Sequence, residues 1–180
     1  MSIETEYLRV VKERFNDIKN LGDKVIEQLA EEDIHWALNE ASNSVAVIVT
    51  HLSGNMVSRW TDFLISDGEK PYRNRDLEFV DNIPSKAGLI TTLDEGWGTL
   101  FETLNNLGEE DLLKNVTIRG EGHSVIEAIE RQLAHYAYHI GQIVYIGKQI
   151  KSENWESLSI PIGQSDSYLQ QMLKKHQPER

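Results

Sequence analysis

Cysteine is absent from the 180 residues. Its absence excludes a disulfide framework, a thiolate zinc site, an iron–sulfur cluster and a cysteine nucleophile. Any metal site must then be built from histidine, with oxygen ligands or water completing it, and any thiol chemistry must come from a bound cofactor. Positive charge is also scarce: 18 Lys+Arg stand against 29 Asp+Glu, a formal net charge of −11. Binding of nucleic-acid phosphates draws on concentrated Lys and Arg, so no nucleic-acid partner is expected. Long apolar runs are missing too. The longest, Val45–Val49, has five residues, against the ~20 that span a bilayer, and no membrane association is expected. The stretch Met1–Glu6 is acidic where a secretory signal carries positive charge. A cytoplasmic location is therefore the expectation, and Asn115-Val116-Thr117 reads as a chance glycosylation sequon.

What is present suits a globular chain. Hydrophobic residues make up 39% and charged residues 26%, at a length close to one domain, so residues 1–180 are read as a single domain. Ile3, Tyr7, Val11, Phe15, Ile18, Leu21, Val25 and Leu29 step by three or four, which predicts a first helix capped by Ser2 with Gly22 as its weak link. Ser44 caps a second carrying Ile48, Leu52, Met56, Trp60 and Phe63, expected to end near Ser66-Asp67-Gly68. Residues 67–84 read as a long irregular connection with Pro71 and Pro84. A third helix follows Ser85 and stops at Gly108. Asn115–Arg119 alternates like a short strand or extended arm. Ser124 and Glu127 then form a capping-box pattern opening a fourth helix to about Gln149, and a short amphipathic piece closes the chain. Four long helices with one apolar stripe each predict an all-α four-helix bundle, with a long crossover connection and a short C-terminal helix.

Chemistry-bearing residues are few. His135 and His139 stand four apart on the fourth helix, so both imidazoles project from one side. Six randomly placed histidines give about 0.2 such pairs, so the spacing needs context. Context comes from His51, at the edge of the apolar stripe of the second helix, and from Gln142, on the strip of His135 and His139. Three histidines would leave one or two coordination positions open, as in a catalytic site. A core-edge histidine is more often a hydrogen-bonded packing residue, and the two readings stay open on spacing alone. His35, His123 and His176 have polar or loop surroundings that suit surface or capping roles. Arg59 lies on the apolar face, either paired in the interior or aimed into a pocket. Arg73 and Arg75 could bind an anionic ligand or form a solvated turn. No phosphate loop, serine-hydrolase elbow or di-iron Glu-x-x-His pattern occurs.

His51-Leu52-Ser53-Gly54-Asn55, His135-Tyr136-Ala137-Tyr138-His139-Ile140-Gly141-Gln142-Ile143, Asp67-Gly68-Glu69-Lys70-Pro71, Arg73-Asn74-Arg75 and Leu158-Ser159-Ile160-Pro161 together resemble the DinB-like superfamily of metal-binding four-helix bundles. The likeness is to a bacterial branch catalogued as a domain of unknown function. The resemblance implies His51, His135 and His139 as metal ligands, zinc or nickel as the metal, and kinship with thiol-dependent enzymes such as bacillithiol transferases. Gln142 and Asn55 are expected in the shell around the ligands, and Arg73 or Arg75 against carboxylates of a thiol cofactor. Two functions follow. One is a metal-dependent enzyme using a low-molecular-weight thiol or an activated water on a small-molecule substrate. The other is a non-catalytic, stress-linked, metal- or small-molecule-binding bundle, expected to be a homodimer.

Overall fold

The computed structural model describes residues 1–176; the last four residues of the expected 1–180 domain, 177–180, lie outside the described residues. It contains five α-helices, α1 (Ile3–Gln28), α2 (Val45–Trp60), α3 (Lys86–Asn106), α4 (Val125–Lys151) and α5 (Ser165–Lys175), and a hairpin of β1 (Asn115–Ile118) and β2 (Glu121–Ser124). The expected serine caps are in place. The hydroxyls of Ser2, Ser44, Ser85 and Ser124 accept from the backbone N–H three residues on, satisfying donors that have no intrahelical partner.

Directions follow from which residues meet. Ser53 lies under Gly96, and the Trp60 carbonyl accepts from Thr103 Oγ1 at 2.8 Å, so α2 and α3 run the same way. Tyr7 donates to Glu130 at 2.9 Å, Phe15 packs beside Tyr136 and Val25 sits over Gly147, so α1 and α4 are also parallel to each other. Lys19 pairs with Asp94, and Lys86 Nζ bonds the Leu29 carbonyl, which sets α1 antiparallel to α3. Each long helix contributes one aromatic ring to the centre of the core: Phe15, Trp60, Trp97 and Tyr136, with the Phe15 centroid 6.2, 6.4 and 6.0 Å from the other three. Edge-on and tilted contacts of this kind add to the burial of four large rings.

The parallel α2–α3 pair explains the long connection. α2 is 16 residues, about 24 Å long at 1.5 Å per residue, and the chain must retrace that length before α3 begins. Residues 61–84 do so along α2 itself. Gly68 lies against Ser58, Glu78 against His51, and Asp81 accepts from Ser44 Oγ. The cover buries 13 of the 16 residues of α2, five of them polar or charged besides the apolar stripe: His51, Ser53, Asn55, Ser58 and Arg59.

Several local expectations are corrected. α2 ends at Trp60 rather than near Ser66–Gly68, because Thr103 takes the Trp60 carbonyl and Asp62 adopts φ 49°. Ile3 is exposed, so the buried stripe of α1 starts at Leu8. Gly22 is a site of close approach as well as a weak link: a Cβ there would lie 2.9 Å from Ile140 Cδ1. The expected strand has a partner strand, with Val116 opposite His123, joined by Arg119 and Gly120 at φ 55° and 77°. Two left-handed residues make the turn that matches strand twist. Asp67 steadies it from the long connection, accepting the N–H groups of Arg119 and Gly120 at 2.8 Å each.

Two predictions test this packing. Gly→Ala inside a helix ordinarily stabilises, but a Cβ at Gly96 would fall 2.9 Å from the Ser53 Cα. Gly96→Ala is expected to lower unfolding free energy in urea by about 1–3 kcal/mol; a gain in stability would refute the close approach. Desolvation raises the Asp67 pKa, but the N–H donors of Glu69, Gly120 and Arg119 outweigh it and leave it well below the ordinary 3.8. A depressed carboxylate stabilises the fold above its unfolded pKa and loses that contribution as pH falls through the folded one. Asp67→Asn is expected to destabilise the protein at pH ~7, with the gap to wild type closing only below the ordinary aspartate range.

Candidate functional site

His51 on α2 and His135 and His139 on α4 come together. One ring nitrogen of each lies within 4.8 Å of the others, and these three are the cluster of potential metal donors found among the described residues. Helical spacing stacks His135 over His139, and the antiparallel crossing of α2 brings His51 to them. The outward nitrogens of two of them are held. His51 Nδ1 donates to Glu78 Oε2 at 2.9 Å, and His139 Nδ1 donates to Gln142 Oε1 at 2.7 Å, whose amide in turn donates to the Tyr138 hydroxyl at 3.0 Å. An acceptor on Nδ1 places the proton there and leaves the Nε2 lone pair free to face inward. His51 Nε2 and His135 Nε2 are 3.4 Å apart. Two nitrogens on a tetrahedral ion with bonds of ~2.05 Å stand about 3.3 Å apart.

On α4, electrostatics favour the neutral form of His135 and His139. Burial pushes the His135 pKa down to about 3, helped by the charges of His139, His51, Arg59 and Arg73. Burial also lowers that of His139, against the opposing bond to Gln142. Neutral rings with oriented lone pairs fit a divalent ion, and no competing thiolate exists in the chain.

The partner of His51 was not singled out in the sequence. Glu78 is buried at 6% exposure and sits in the returning connection, its two oxygens taken by Arg73 Nε at 2.7 Å and by Arg73 NH2 and His51 Nδ1 at 2.9 Å. Gly54, one turn from His51, makes room: a Cβ there would lie 2.5 Å from Glu78 Oε1. Phe79, next in the chain, stacks on the His51 ring at 4.9 Å, and the Arg75 guanidinium lies over the Phe79 ring, 4.9 Å from its centroid. Only the backbone path reveals Glu78; its sole signal in the sequence is the sandwich of Arg73, Arg75 and Glu78 in a stretch with few apolar residues.

A family model described as "Protein of unknown function (DUF1572)" matches residues 2–164. The chain belongs to this family. The DUF1572 match takes in α1 to α4, all three histidines and Glu78, and ends just before α5. A comparison with curated proteins finds no match.

The other candidates of this DUF1572 chain fall as follows. The Arg73 side chain is 3% exposed and bonded to Glu78 and Glu69, so it forms no solvated turn, whereas Arg75 is exposed. Arg59 does both things considered for it. It pairs with Glu69 at 3.1 Å and bonds the Gly68 carbonyl, and it also lines a cavity beside His51 and His135. Asn55 makes no hydrogen bond to a histidine; it accepts from the Tyr136 hydroxyl, which accepts from Trp60 Nε1, and it lines the same cavity. Gln142 reaches His139 as described. A second, more apolar cavity of ≈ 530 Å³ lies on the Gln142 side, walled by Trp36, Leu38, Tyr138 and Tyr145. His123 is buried, not a surface residue: its ring lies between Glu121 and Glu127 at 3.5 and 3.3 Å. His35 bonds Asp81, and His176 follows α5.

Glu78 is expected to be structural as well as orienting. Glu78→Gln leaves the buried Arg73 with only a share of Glu69, and breaking such a pair costs about 3–5 kcal/mol. The double variant Arg73→Met/Glu78→Leu is expected to unfold at higher urea than Glu78→Gln. Equal or greater loss in the double variant would contradict the charge argument.

Proposed function

We propose that this chain is a DinB-like four-helix bundle of one domain that binds a single divalent ion, zinc or nickel, through His51, His135 and His139. The observation carrying this is the convergence of three imidazoles, two of which have their outward nitrogens tied, His51 to Glu78 and His139 to Gln142. Ligating histidines ordinarily need such outer partners to fix tautomer and ring angle. Up-down-down-up helix order, with the site between α2 and α4, supports the bundle reading.

Three protein donors leave room on a four- or five-coordinate ion, which favours an enzyme over a closed structural site. An ion held there would supply Lewis acidity, favouring the ionised form of a thiol or a water at neutral pH. The chain's own residues do the rest. Glu78 fixes the His51 ring and balances charge, Gln142 and Tyr138 fix His139, and Phe79 shields one face of His51 from water. We propose a metal-dependent enzyme acting on a small molecule, using a low-molecular-weight thiol or an activated water. Because the chain has no cysteine, the thiol would be a cofactor.

Untagged protein purified without chelator is expected to carry about one zinc or nickel per chain by elemental analysis. His139→Ala should lose it, and Glu78→Gln should weaken it about 10- to 100-fold. No stoichiometric metal, or metal retained unchanged by His139→Ala, would overturn the proposal.

A further inference from the structure

Five arginines from four separate segments meet at one cavity: Arg59 on α2, Arg73 and Arg75 in the returning connection, Arg119 in the hairpin turn and Arg131 on α4. The cavity measures ≈ 220 Å³, and His51 and His135 form part of its wall. No carboxylate lines it. Glu69 and Glu78 neutralise part of the cluster from behind, with Glu69 Oε2 shared among Arg59, Arg73 and Arg119 at 3.1, 3.3 and 3.0 Å. Arg131 has only Glu121, at 3.9 Å. Five guanidiniums against these carboxylates leave a net positive pocket in a chain whose overall charge is −11, so the concentration is local and not a general property of the surface.

Two buried atoms of cavity-lining residues lack protein partners. Arg59 Nε is a donor without an acceptor, and Gln132 Oε1 is an acceptor without a donor. Burying such groups unpaired is costly unless something completes them. An oxyanion in the cavity supplies acceptors for the guanidinium N–H groups that face it, and Arg59 Nε and Gln132 Oε1, which have no accessible surface of their own, gain partners when a small shift of their side chains brings them to it and to a neighbouring hydroxyl. Guanidinium forks match phosphate and carboxylate oxygens in pairs. Arg119, tied to Glu69 through Nε, and Arg131 have side chains 53% and 47% exposed, so both meet an entering anion from the solvent side.

We infer that this cavity binds the dianionic end of a small hydroxylated molecule, a phosphate monoester or a pair of carboxylates, and so delivers its neighbouring atoms to the histidine cluster. The substrate or cofactor class of the proposed enzyme is thereby anionic. Delivery to a metal rests on the function proposed above; the anion site itself does not.

The test uses the full chain stripped of metal by chelator, at low ionic strength. Calorimetric titration with inorganic phosphate, glycerol 3-phosphate and succinate is expected to show one site per chain, with neutral glycerol not binding. Glycerol 3-phosphate should bind more tightly than inorganic phosphate, through its hydroxyl. A tighter phosphate arm assigns a phosphate monoester, and a tighter succinate arm assigns paired carboxylates. Arg119→Gln/Arg131→Gln, both at exposed positions, should weaken binding by about tenfold or more, the loss of one or two charge-assisted bonds; Arg75→Gln provides a second variant if the first pair misfolds. No saturable binding of any of the three anions, or binding unchanged in the folded variants, would overturn the inference. Metal content is read separately, so metal loss with intact phosphate binding counts only against the metal proposal, and the reverse only against this one.

Discussion

α2 and α3 run in the same direction, and most of what is distinctive here follows from that constraint. A chain that leaves one helix and enters a parallel neighbour must travel back the helix's full length. Here it travels along the outer face of α2, with Gly68, Glu78 and Asp81 meeting successive turns of it. A helix covered on both sides can hold His51, Asn55, Ser58 and Arg59 inside the protein, provided each finds a partner. Glu78 is the hub of that pairing. It accepts from His51 on one side and Arg73 on the other, and Gly54 lets it come close.

The same return path assembles the charge pattern. Glu69 and Asp67 lie where the connection crosses the hairpin, so one carboxylate gathers Arg59, Arg73 and Arg119 while the other holds the left-handed Arg119-Gly120 turn. The result is an ionic network next to the three imidazoles, and the arginine charges help to keep His135 unprotonated. An apolar cavity on the Gln142 side and an arginine-lined one on the His51 side flank the cluster.

Helices were legible because their signals are local. Serine caps followed by stripes at three- and four-residue steps placed the starts of α1 to α4 and the ends of all but α2, and the four-residue spacing of His135 and His139 with a core-edge His51 marked the cluster. What stayed hidden depends on contacts between distant segments. Glu78 is one acidic residue among many until the connection lays it on His51. Arg73 reads as a solvated loop residue until Glu78 and Glu69 enclose it. The second strand, the early end of α2 and the burial of His123 have the same origin: a neighbour far along the chain supplies the missing bond or cover. Gly22 looks like a flaw in its helix because periodicity cannot show that Ile140 rests on it.

The central claim is that His51, His135 and His139 bind one ion as a set. X-ray absorption at the metal edge of untagged, metal-replete protein tests it most directly. The account predicts three imidazole nitrogens at about 2.0–2.1 Å with light oxygen or exogenous ligands completing the shell, and loss of imidazole scattering in His51→Ala. A metal ligated without imidazole, or a spectrum unchanged in His51→Ala, would contradict it.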